Sequence, residues 1–303
     1  MEYVSCNLCG STTSRVLYPS TLHPEGNLDL SAFRCTSSGY GRHHTIVQCT
    51  QCGLVYANPR WNEEELLTRY EAVEDPLYVE EREGRVLTFQ RHLRPLERLM
   101  PPGEGRRLLD VGCHVGIFVE IAGEHGWDAW GVEPSHWAAV EARRRGLQVV
   151  EGTMASAGFA DGFFDVITMW DVIEHVADPM AEVREAYRLL KPGGLLVIHT
   201  MDIESPFARL MGARWPWLME MHITYFSRRT LRMLVEKAGF QVLAIRPQGR
   251  YLRLGYLATR VEAFVPWLGR GLGRLFAWLR VEGRAVPINL GDLVTLFAVK
   301  REA

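Results

Sequence analysis

The sequence contains no uninterrupted apolar run of about 18 residues, the length that a membrane-spanning helix needs. Its first residues, MEYVSCNLCG, lack the basic and apolar regions of a secretory signal. Neither charge sign dominates, because 34 Lys and Arg face 36 Asp and Glu, for a net charge of −2. We therefore expect a cytoplasmic protein, and the charge balance supplies no overall positive field that would favour nucleic acid as a partner.

Four of the six cysteines form two Cys-x-x-Cys pairs, Cys6/Cys9 and Cys49/Cys52, each followed by glycine. Two residues between cysteines let a tight turn direct both thiolates at one tetrahedral ion, and four sulfur ligands leave no position open for catalysis. The spacing predicts a structural zinc ion. A redox pair is an alternative, as is a different ligand set. The other side chains that could serve as ligands are Cys35, His23, His43 and His44.

Composition divides the chain into three parts. Residues 1–60 carry the cysteine pairs and form the predicted zinc-binding module. Residues 61–102 are charged, with apolar residues at helical spacing and a capping-box pattern at Asn62 and Glu65, and are predicted to be a helical linker. The chain is 303 residues long and 47% hydrophobic, which is enough for a sizeable core, and we place the main domain at residues 103–303.

Within the main domain, short apolar runs alternate with helical patterns, which predicts an α/β fold with a parallel sheet and helices on both faces. The predicted strands are RRLLDVGC, DAWGVEPS, LQVVEGT, FDVITMWDV, LLVIHTM, FQVLAIRPQ and DLVTLFAVKR. The string KPGG before the fifth strand is predicted to be a turn. Residues 250–287 separate the last two strands and are too long and too apolar for a simple loop, so we predict a helical, amphipathic insertion.

The insertion combines aliphatic and aromatic residues with arginine. Residues 253–286 contain six Arg and two Glu, for a net charge of +4. This pattern fits a helical lid that packs on its own domain or on a second subunit. It also fits a basic amphipathic surface for peripheral contact with the inner face of a membrane. The sequence leaves both interpretations open, and it does not define the oligomeric state.

The first strand of the main domain leads into the turn DVGCHVG, residues 110–116. A dinucleotide fingerprint would place glycine at positions 112, 114 and 117, where this chain has Gly112, His114 and Ile117. A nicotinamide or flavin pyrophosphate is therefore disfavoured. The second strand ends at Glu133, 21 positions after Gly112, where a carboxylate can accept hydrogen bonds from ribose hydroxyls. An adenosine group without a pyrophosphate fits both observations.

The D-x-G-x-x-x-G turn, the acidic end of strand two, the strings DVIEHV and LLKPGG and the closing strand together resemble class I S-adenosylmethionine-dependent methyltransferases. The resemblance covers about residues 103–303 and implies a Rossmann-like seven-stranded sheet with S-adenosylmethionine as cofactor. The residues that it implies in cofactor binding are Asp110, Gly112, His114, Gly116, Glu133, Pro134, Ser135, Gly152, Thr153, Met154, Trp170 and Asp171.

The resemblance also assigns the parts of the cofactor to different strand ends. The first turn would lie at the methionine part, and Glu133 at the ribose. Residues 152–154 would contact the adenine, and Trp170 and Asp171 would face the transferred methyl group. His114 stands where the family commonly has glycine, so we expect it to narrow the pocket or to add a contact to the cofactor's carboxylate.

Methyl transfer from a sulfonium requires alignment of the acceptor and removal of its proton, and histidine is a suitable base near neutral pH. Two histidines are candidates: His175 in IEHV and His222 in MEMHITYFS. We favour His222 as the base or as an acceptor-positioning residue. Tyr225 and Glu220 flank it, and either would orient His222 or contact the acceptor, whereas Ser227 is predicted to cap the following helix.

The zinc module joined to this domain is similar in layout to bacterial methyltransferases that modify sugars and polysaccharides, including zinc-containing sugar C-methyltransferases. We expect methylation of a small or glycan-linked acceptor, most simply at oxygen. The alternatives are sugar C-methylation, methylation of RNA held by the zinc module, and a non-catalytic binding protein. Residues 1–60 contain only four arginines and no lysine, a thin footprint for RNA phosphates. A lipid-linked acceptor is a further alternative, tied to the insertion.

Overall fold

A small antiparallel sheet lies near the N-terminus of the computed structural model, which describes residues 1–22 and 30–301. Its first strands are β1 (Ser14–Tyr18), β2 (Ile46–Cys49) and β3 (Val55–Ala57). β2 pairs antiparallel with both of the others, which brings the second cysteine pair to the turn between β2 and β3. His23, one of the alternative zinc ligands, lies outside the described residues.

Three helices follow, as the charged helical pattern predicts: α1 (Glu63–Glu71), α2 (Pro76–Glu80) and α3 (Arg82–Leu99). The predicted capping box is confirmed. Glu65 N donates to Asn62 Oδ1 at 2.8 Å, and Asn62 N donates to Glu65 Oε2 at 3.0 Å. The apolar side of α3 faces the rest of the molecule, and Leu93 and Leu96 on that side are completely buried.

The alternation of strands and helices predicted from residue 103 is confirmed. In chain order the elements are β4 (Arg107–Val111), α4 (Ile117–Glu124), β5 (Asp128–Glu133), α5 (His136–Arg144), β6 (Gln148–Glu151), β7 (Phe164–Trp170), α6 (Pro179–Leu189), β8 (Leu190–Met201), α7 (Pro206–Met211), β9 (Thr224–Tyr225), α8 (Arg228–Lys237), β10 (Phe240–Pro247), β11 (Arg250–Arg253), α9 (Leu254–Phe264), α10 (Pro266–Trp278), β12 (Ala285–Ile288) and β13 (Leu293–Lys300).

Seven of these strands form the central sheet, in the order β10-β13-β8-β7-β4-β5-β6. β4 to β8 pair in parallel, whereas β13 lies antiparallel between β8 and β10. This is the predicted Rossmann-like seven-stranded sheet. The chain first moves outward from β4 to β6 and then returns to β7 on the other side of β4. The carboxyl ends of β4 and β7 therefore flank the crevice where open α/β sheets bind ligands.

The middle strands are buried on both faces, which explains why their sequences are continuous apolar runs rather than alternating ones. In β7, Val166, Ile167 and Met169 are completely buried, and so are Leu196 and Ile198 in β8. These buried central strands fix the position of their own carboxyl ends, where the candidate site lies.

KPGG, predicted to be a turn, lies inside β8. Phe164 pairs with Leu190 and Val166 with Leu195, so residues 191–194 form an irregularity in the strand rather than a separate turn. A side chain at Gly194 would come within 2.8 Å of the carbonyl oxygen of Lys191, so the close backbone approach here requires glycine.

The fourth strand of the small sheet comes from far along the chain. β9 pairs antiparallel with β3, with Tyr225 opposite Val55 and Thr224 opposite Tyr56. α8 also contacts the cysteine pairs: Lys237 Nζ donates to the carbonyl of Leu8 at 2.7 Å, and Arg229 Nη2 to that of Cys52 at 2.8 Å. The small sheet is thus completed by the segment that follows His222. The divisions at residues 60 and 102 remain predictions.

The insertion before β13 is helical, as predicted, and consists of a hairpin of α9 and α10. Its base is a ribbon of β11 and β12, which pair antiparallel and which the sequence pattern does not indicate. Within residues 1–22 and 30–301, the helices are all too short or too polar to cross a bilayer.

Candidate functional site

The turn after β4 brings the backbone close to neighbouring side chains. Gly112 has a φ of 64°, and a Cβ atom there would lie 2.9 Å from Val172 Cγ2, so both conformation and space favour glycine. Asp110 is buried and accepts a hydrogen bond from Thr168 Oγ1 at 2.7 Å. Burial raises the pKa of Asp110 well above its usual range. Gly116 also has positive φ, at 74°, and begins α4.

Glu133 occupies the carboxyl end of β5, next to this turn. Its two carboxylate oxygens accept hydrogen bonds from the backbone nitrogens of His114 and Ser135, both at 2.8 Å. The residue is only 7% exposed, and burial raises its pKa to about 7, although the two backbone hydrogen bonds oppose the shift. A carboxylate has further lone pairs, so Glu133 can still accept from a ribose hydroxyl. Pro134 lies between Glu133 and Ser135, and the Ser135 side chain caps α5.

His114 is buried, and its ring stacks on Tyr78 with 3.7 Å between ring centroids. Neither ring nitrogen has a hydrogen-bond partner among the described residues. Burial lowers the pKa of His114 to about 3, with Arg85 contributing, so the ring is neutral. Through this stack, Tyr78 of α2 covers the turn of residues 110–116, which we call the glycine turn.

The residues after β6 are hydrogen-bonded to the carboxyl end of β5. Gly152 N donates to the carbonyl oxygen of Glu133 at 2.9 Å. Thr153 N donates to Ser156 Oγ at 2.9 Å, whereas the Met154 side chain is completely buried in the core. Residues 152–154 thus lie beside Glu133, where the resemblance expects the adenine side of the cofactor.

A cavity opens at the carboxyl end of β7, where Trp170 and Asp171 were predicted to face the transferred methyl group. Its lining includes both of these residues and His92, His199, Arg250 and Tyr256. Arg250 Nη2 donates to both oxygens of Asp171, at 3.1 and 3.2 Å. Burial alone would raise the pKa of Asp171, but Arg250 and His199 bring it down to about 2. Asp171 is therefore a fixed negative charge.

Several polar atoms in the walls of this cavity have no hydrogen-bond partner among the described residues. They are His92 Nδ1, Trp170 Nε1, His199 Nε2 and Arg250 Nε. Buried polar atoms rarely remain unpaired, so this wall is suited to a polar ligand. Sequence reasoning missed His92, His199 and Arg250. Only His199 carries a signal, as one imidazole near the end of the otherwise apolar strand LLVIHTM.

The two candidate bases lie together, with 4.7 Å between the ring centroids of His175 and His222. The Nδ1–H of His222 donates to the carbonyl of Trp217 at 2.7 Å; because a carbonyl can only accept, the neutral ring of His222 carries its lone pair on Nε2. Nδ1 of His175 has two partners, the carbonyl of Met221 at 3.0 Å and the hydroxyl of Tyr70 at 2.9 Å. Because a hydroxyl can donate or accept, these contacts leave both tautomers of His175 open. Burial lowers the pKa of His222 to about 3 and that of His175 to about 4, so both rings are neutral at pH 7.

Tyr225 and Glu220 have different surroundings. Tyr225 is completely buried in β9, its hydroxyl donates to the carbonyl of Met219 at 3.4 Å, and its ring meets that of His222 edge-on. Glu220 lies 3.7 Å from Arg42. Tyr225 thus packs against His222, and its hydroxyl is used by the backbone. The predicted cap is confirmed, because Ser227 Oγ accepts from Thr230 N at 3.2 Å.

The four predicted zinc ligands converge. Their sulfur atoms all lie within 4.8 Å of one another, with 3.4 Å between Cys6 and Cys52 and 3.5 Å between Cys9 and Cys49. Four sulfurs about 2.3 Å from a tetrahedral zinc ion are separated by roughly 3.8 Å, so this cluster fits the ion. The alternative ligands Cys35, His43 and His44 are not part of it. Two further groups have ligand atoms within 4.8 Å of one another among the described residues: Cys35, Asp75 and His114, and Glu174, His175 and His222.

The cofactor-side residues also fit S-adenosylmethionine. The glycine turn leaves backbone space that a Cβ atom would fill, and Glu133 retains acceptor capacity at the end of the neighbouring strand. The polar atoms without a hydrogen-bond partner in the cavity at the end of β7 complete a site with both polar and aromatic surfaces. Of the predicted cofactor residues, Met154 is the one whose side chain is wholly in the core.

Residues 78–245 match the family described as a methyltransferase domain, which is more than half of the chain. A ubiquinone biosynthesis O-methyltransferase from Methylococcus capsulatus is 34% identical over 120 residues, which cover 37% of this chain and 51% of that protein. One from Cereibacter sphaeroides is 38% identical over 122 residues, covering 38% and 49%. The chain therefore spans about half the length of these relatives.

The fold is shared with solved structures. A SAM-dependent methyltransferase from Archaeoglobus fulgidus aligns with a TM-score of 0.50 and 19% identity, over 75% of this chain and 100% of that one. At this identity the likeness concerns the fold alone. Together with the match over residues 78–245, it agrees with the sheet order and the glycine turn described above. The chain therefore belongs to the methyltransferase-domain family and has the class I fold of S-adenosylmethionine-dependent methyltransferases.

Proposed function

We propose that the protein methylates a hydroxyl oxygen of a small or glycan-linked acceptor, with S-adenosylmethionine as methyl donor and zinc as a structural ion. The observation that carries the proposal is the neutral ring of His222, whose lone pair is on Nε2 and which lies beside the neutral ring of His175 and close to Asp171 at the end of β7. The relatives from Methylococcus and Cereibacter, named as O-methyltransferases, support oxygen as the acceptor atom.

On the cofactor side, the chain supplies binding and orientation. Asp110, Gly112 and Gly116 would hold the methionine part, and Glu133 would accept hydrogen bonds from the ribose hydroxyls. S-adenosylmethionine, when bound, supplies an electrophilic methyl group. Trp170 and Asp171 border the cavity in which that group would meet the acceptor.

On the acceptor side, the chain must take up a proton. His222 holds its Nδ1–H on the carbonyl of Trp217, so its Nε2 is the atom that can accept the hydroxyl proton. His175, whose Nδ1 contacts both the carbonyl of Met221 and the hydroxyl of Tyr70, is the second candidate. The lining of the cavity at the end of β7 includes neither of these histidines but does include the ion pair of Asp171 and Arg250, whose fixed polarity orients a polar acceptor.

Replacing Glu133 with alanine is expected to weaken S-adenosylmethionine binding by about 1–3 kcal/mol, because charge-assisted hydrogen bonds to the ribose are lost. Calorimetric titration with S-adenosylmethionine and S-adenosylhomocysteine measures the change, with NAD as a ligand that should not bind. Glu151→Ala is the matched control, since it removes a carboxylate at the end of the adjacent strand β6, where the side chain is 39% exposed. Unchanged affinity in Glu133→Ala would place the ribose elsewhere.

The acceptor class requires a second experiment. Incubation of the protein with methyl-labelled S-adenosylmethionine and a panel of phenolic, sugar, lipid-linked and RNA acceptors should label a hydroxyl. Label on a sugar carbon or on RNA would favour the C-methylation or RNA alternatives. If the protein binds neither S-adenosylmethionine nor S-adenosylhomocysteine, with or without acceptor, the methyl-transfer proposal fails and the non-catalytic alternative replaces it.

A further inference from the structure

The hairpin of α9 and α10 is held together by a glycine face. A Cβ atom at Gly269 would overlap the backbone of Glu262, and one at Gly273 would lie 3.9 Å from Ala258 Cβ. The helices therefore cross closely on this side of α10. Gly269 is the only buried residue among the 13 of α10, so the remainder of this helix does not pack into a core.

The opposite side of α10 is apolar and exposed. Trp267 is 72% exposed and Trp278 79%, and both lie on the same helical face because they are eleven residues apart. Three leucines extend this surface, which we call the tryptophan face: Leu268, Leu275 and Leu279, each at least 38% exposed. Large aromatic side chains this exposed on a soluble protein indicate a contact surface.

Arginines border the tryptophan face. Arg270 and Arg274 lie along one flank of α10, and Arg280 follows its end, all of them exposed. Two other arginines of residues 253–286 are held elsewhere, Arg253 by Glu81 and Arg260 by backbone carbonyls. Arg270 also has Glu262 at 3.6 Å. The arginines along this border still point to a partner that is apolar inside and anionic at its surface.

The inner side of the hairpin borders the candidate site. Tyr256 of α9 lines the cavity at the end of β7. Arg260, one turn further along α9, donates to the carbonyls of Thr36 and Ser37 at 2.5 and 2.7 Å. Phe264 at the end of α9 stacks on Tyr40 at 4.6 Å. The hairpin is therefore a fixed wall of the cavity, and its other side is the tryptophan face.

We propose that the tryptophan face docks on an anionic lipid bilayer, with the indole rings at the headgroup level and the arginines on lipid phosphates. Tryptophan and arginine are the residues that favour this interface, and a helix with an apolar face and a basic flank lies in its plane. Each basic residue near an anionic surface adds about 1 kcal/mol. The docking itself does not require methyl transfer.

The consequence for the substrate rests on the function proposed above. A hairpin that is a cavity wall on one side and a membrane contact on the other keeps the cavity beside the bilayer. A hydroxyl on the headgroup of a lipid-linked acceptor would then reach the site without the lipid leaving the membrane. This narrows the acceptor to a lipid-linked compound.

Flotation of the full-length protein with vesicles tests the docking. We expect binding to vesicles of phosphatidylcholine with about 30% phosphatidylglycerol at low salt, and little binding to pure phosphatidylcholine, because the anionic headgroups attract the arginines. Arg270→Gln with Arg274→Gln should lower the partition coefficient roughly fivefold for each arginine. Trp267→Ser with Trp278→Ser should lower it by at least about tenfold, because two interfacial aromatic anchors are removed.

Matched controls isolate the surface. Leu210→Ser removes an apolar side chain that is 84% exposed outside the hairpin, and Arg94→Gln with Arg98→Gln removes two exposed charges on α3. These controls should bind vesicles like the wild type. Absence of binding to anionic vesicles, or tryptophan variants that bind normally, would overturn the proposal. So would a tryptophan variant that turns a dimer into a monomer with no change in vesicle binding. Calorimetry with S-adenosylmethionine on the same variants shows separately whether the methyl-transfer function stands.

Discussion

Replacing His222 with asparagine should lower kcat by about 10²–10⁴-fold, the usual contribution of a general base. Asparagine can keep the hydrogen bond to the carbonyl of Trp217, because its amide nitrogen takes the place of Nδ1. It has no group that replaces the lone pair on Nε2. The variant should therefore fold normally and bind S-adenosylmethionine with unchanged affinity, while single-turnover transfer to the acceptor found in the labelling screen slows.

His175→Asn, which can keep the bond to the carbonyl of Met221, is the informative comparison. The larger loss of kcat identifies the ring that takes the proton. His136→Asn is the control, since His136 begins α5 and its side chain is 72% exposed. If neither His222→Asn nor His175→Asn slows methyl transfer, the pair only orders its loop.

Replacing Cys49 with serine should remove the zinc ion and lower kcat by about 10²-fold, the loss that follows from a displacement of about 1 Å at a reacting group. The connection is β9, which pairs with β3 of the sheet that carries the cysteine pairs and begins two residues after His222. Loss of the ion should loosen that sheet and, with it, the position of His222. Affinity for S-adenosylmethionine should change little, because Glu133 and the glycine turn belong to the central sheet.

Metal analysis and calorimetry on the same sample check this expectation. The wild type should contain about one zinc ion per chain at the cysteines, and Cys49→Ser none there. Gln51→Ser is the control, because Gln51 is exposed in the same turn and lies outside the cluster. A folded, metal-free wild type, or a Cys49→Ser variant with full activity, would contradict a structural zinc ion that supports the site.

Local signals predict much of the fold. The capping box at Asn62, the apolar runs of β4 to β8 and the cap at Ser227 each reside in a few adjacent residues, so the sequence displays them directly. The strand β9 is different. Its two residues are too few to show a periodicity, and its partner strand β3 lies far away in the sequence, since Tyr225 pairs with Val55. KPGG was predicted wrongly because Pro-Gly strings resemble turns even where a strand absorbs them as an irregularity.

The candidate site also contains residues that a sequence pattern identifies and residues that only the structure reveals. Asp110, Gly112 and Glu133 occupy strand ends with fixed spacing, so a pattern identifies them. His92 and Arg250 come from a helix and a ribbon that are distant in sequence, and only the packing of α3 against β11 brings them to one cavity. The tautomer of His222 also requires the structure, because the backbone carbonyl of Trp217 determines it.

The pairing of β3 with β9 also bears on synthesis of the protein by the ribosome. Val55 leaves the ribosome about 170 residues before its partner Tyr225, an interval of roughly 10–30 s at ordinary elongation rates. During that time β3 has an open edge and the cysteines are already available to bind zinc. Early capture of the ion would protect this edge from pairing with another nascent chain. Cells starved of zinc should therefore lose the protein to aggregation during translation, before any effect on finished molecules.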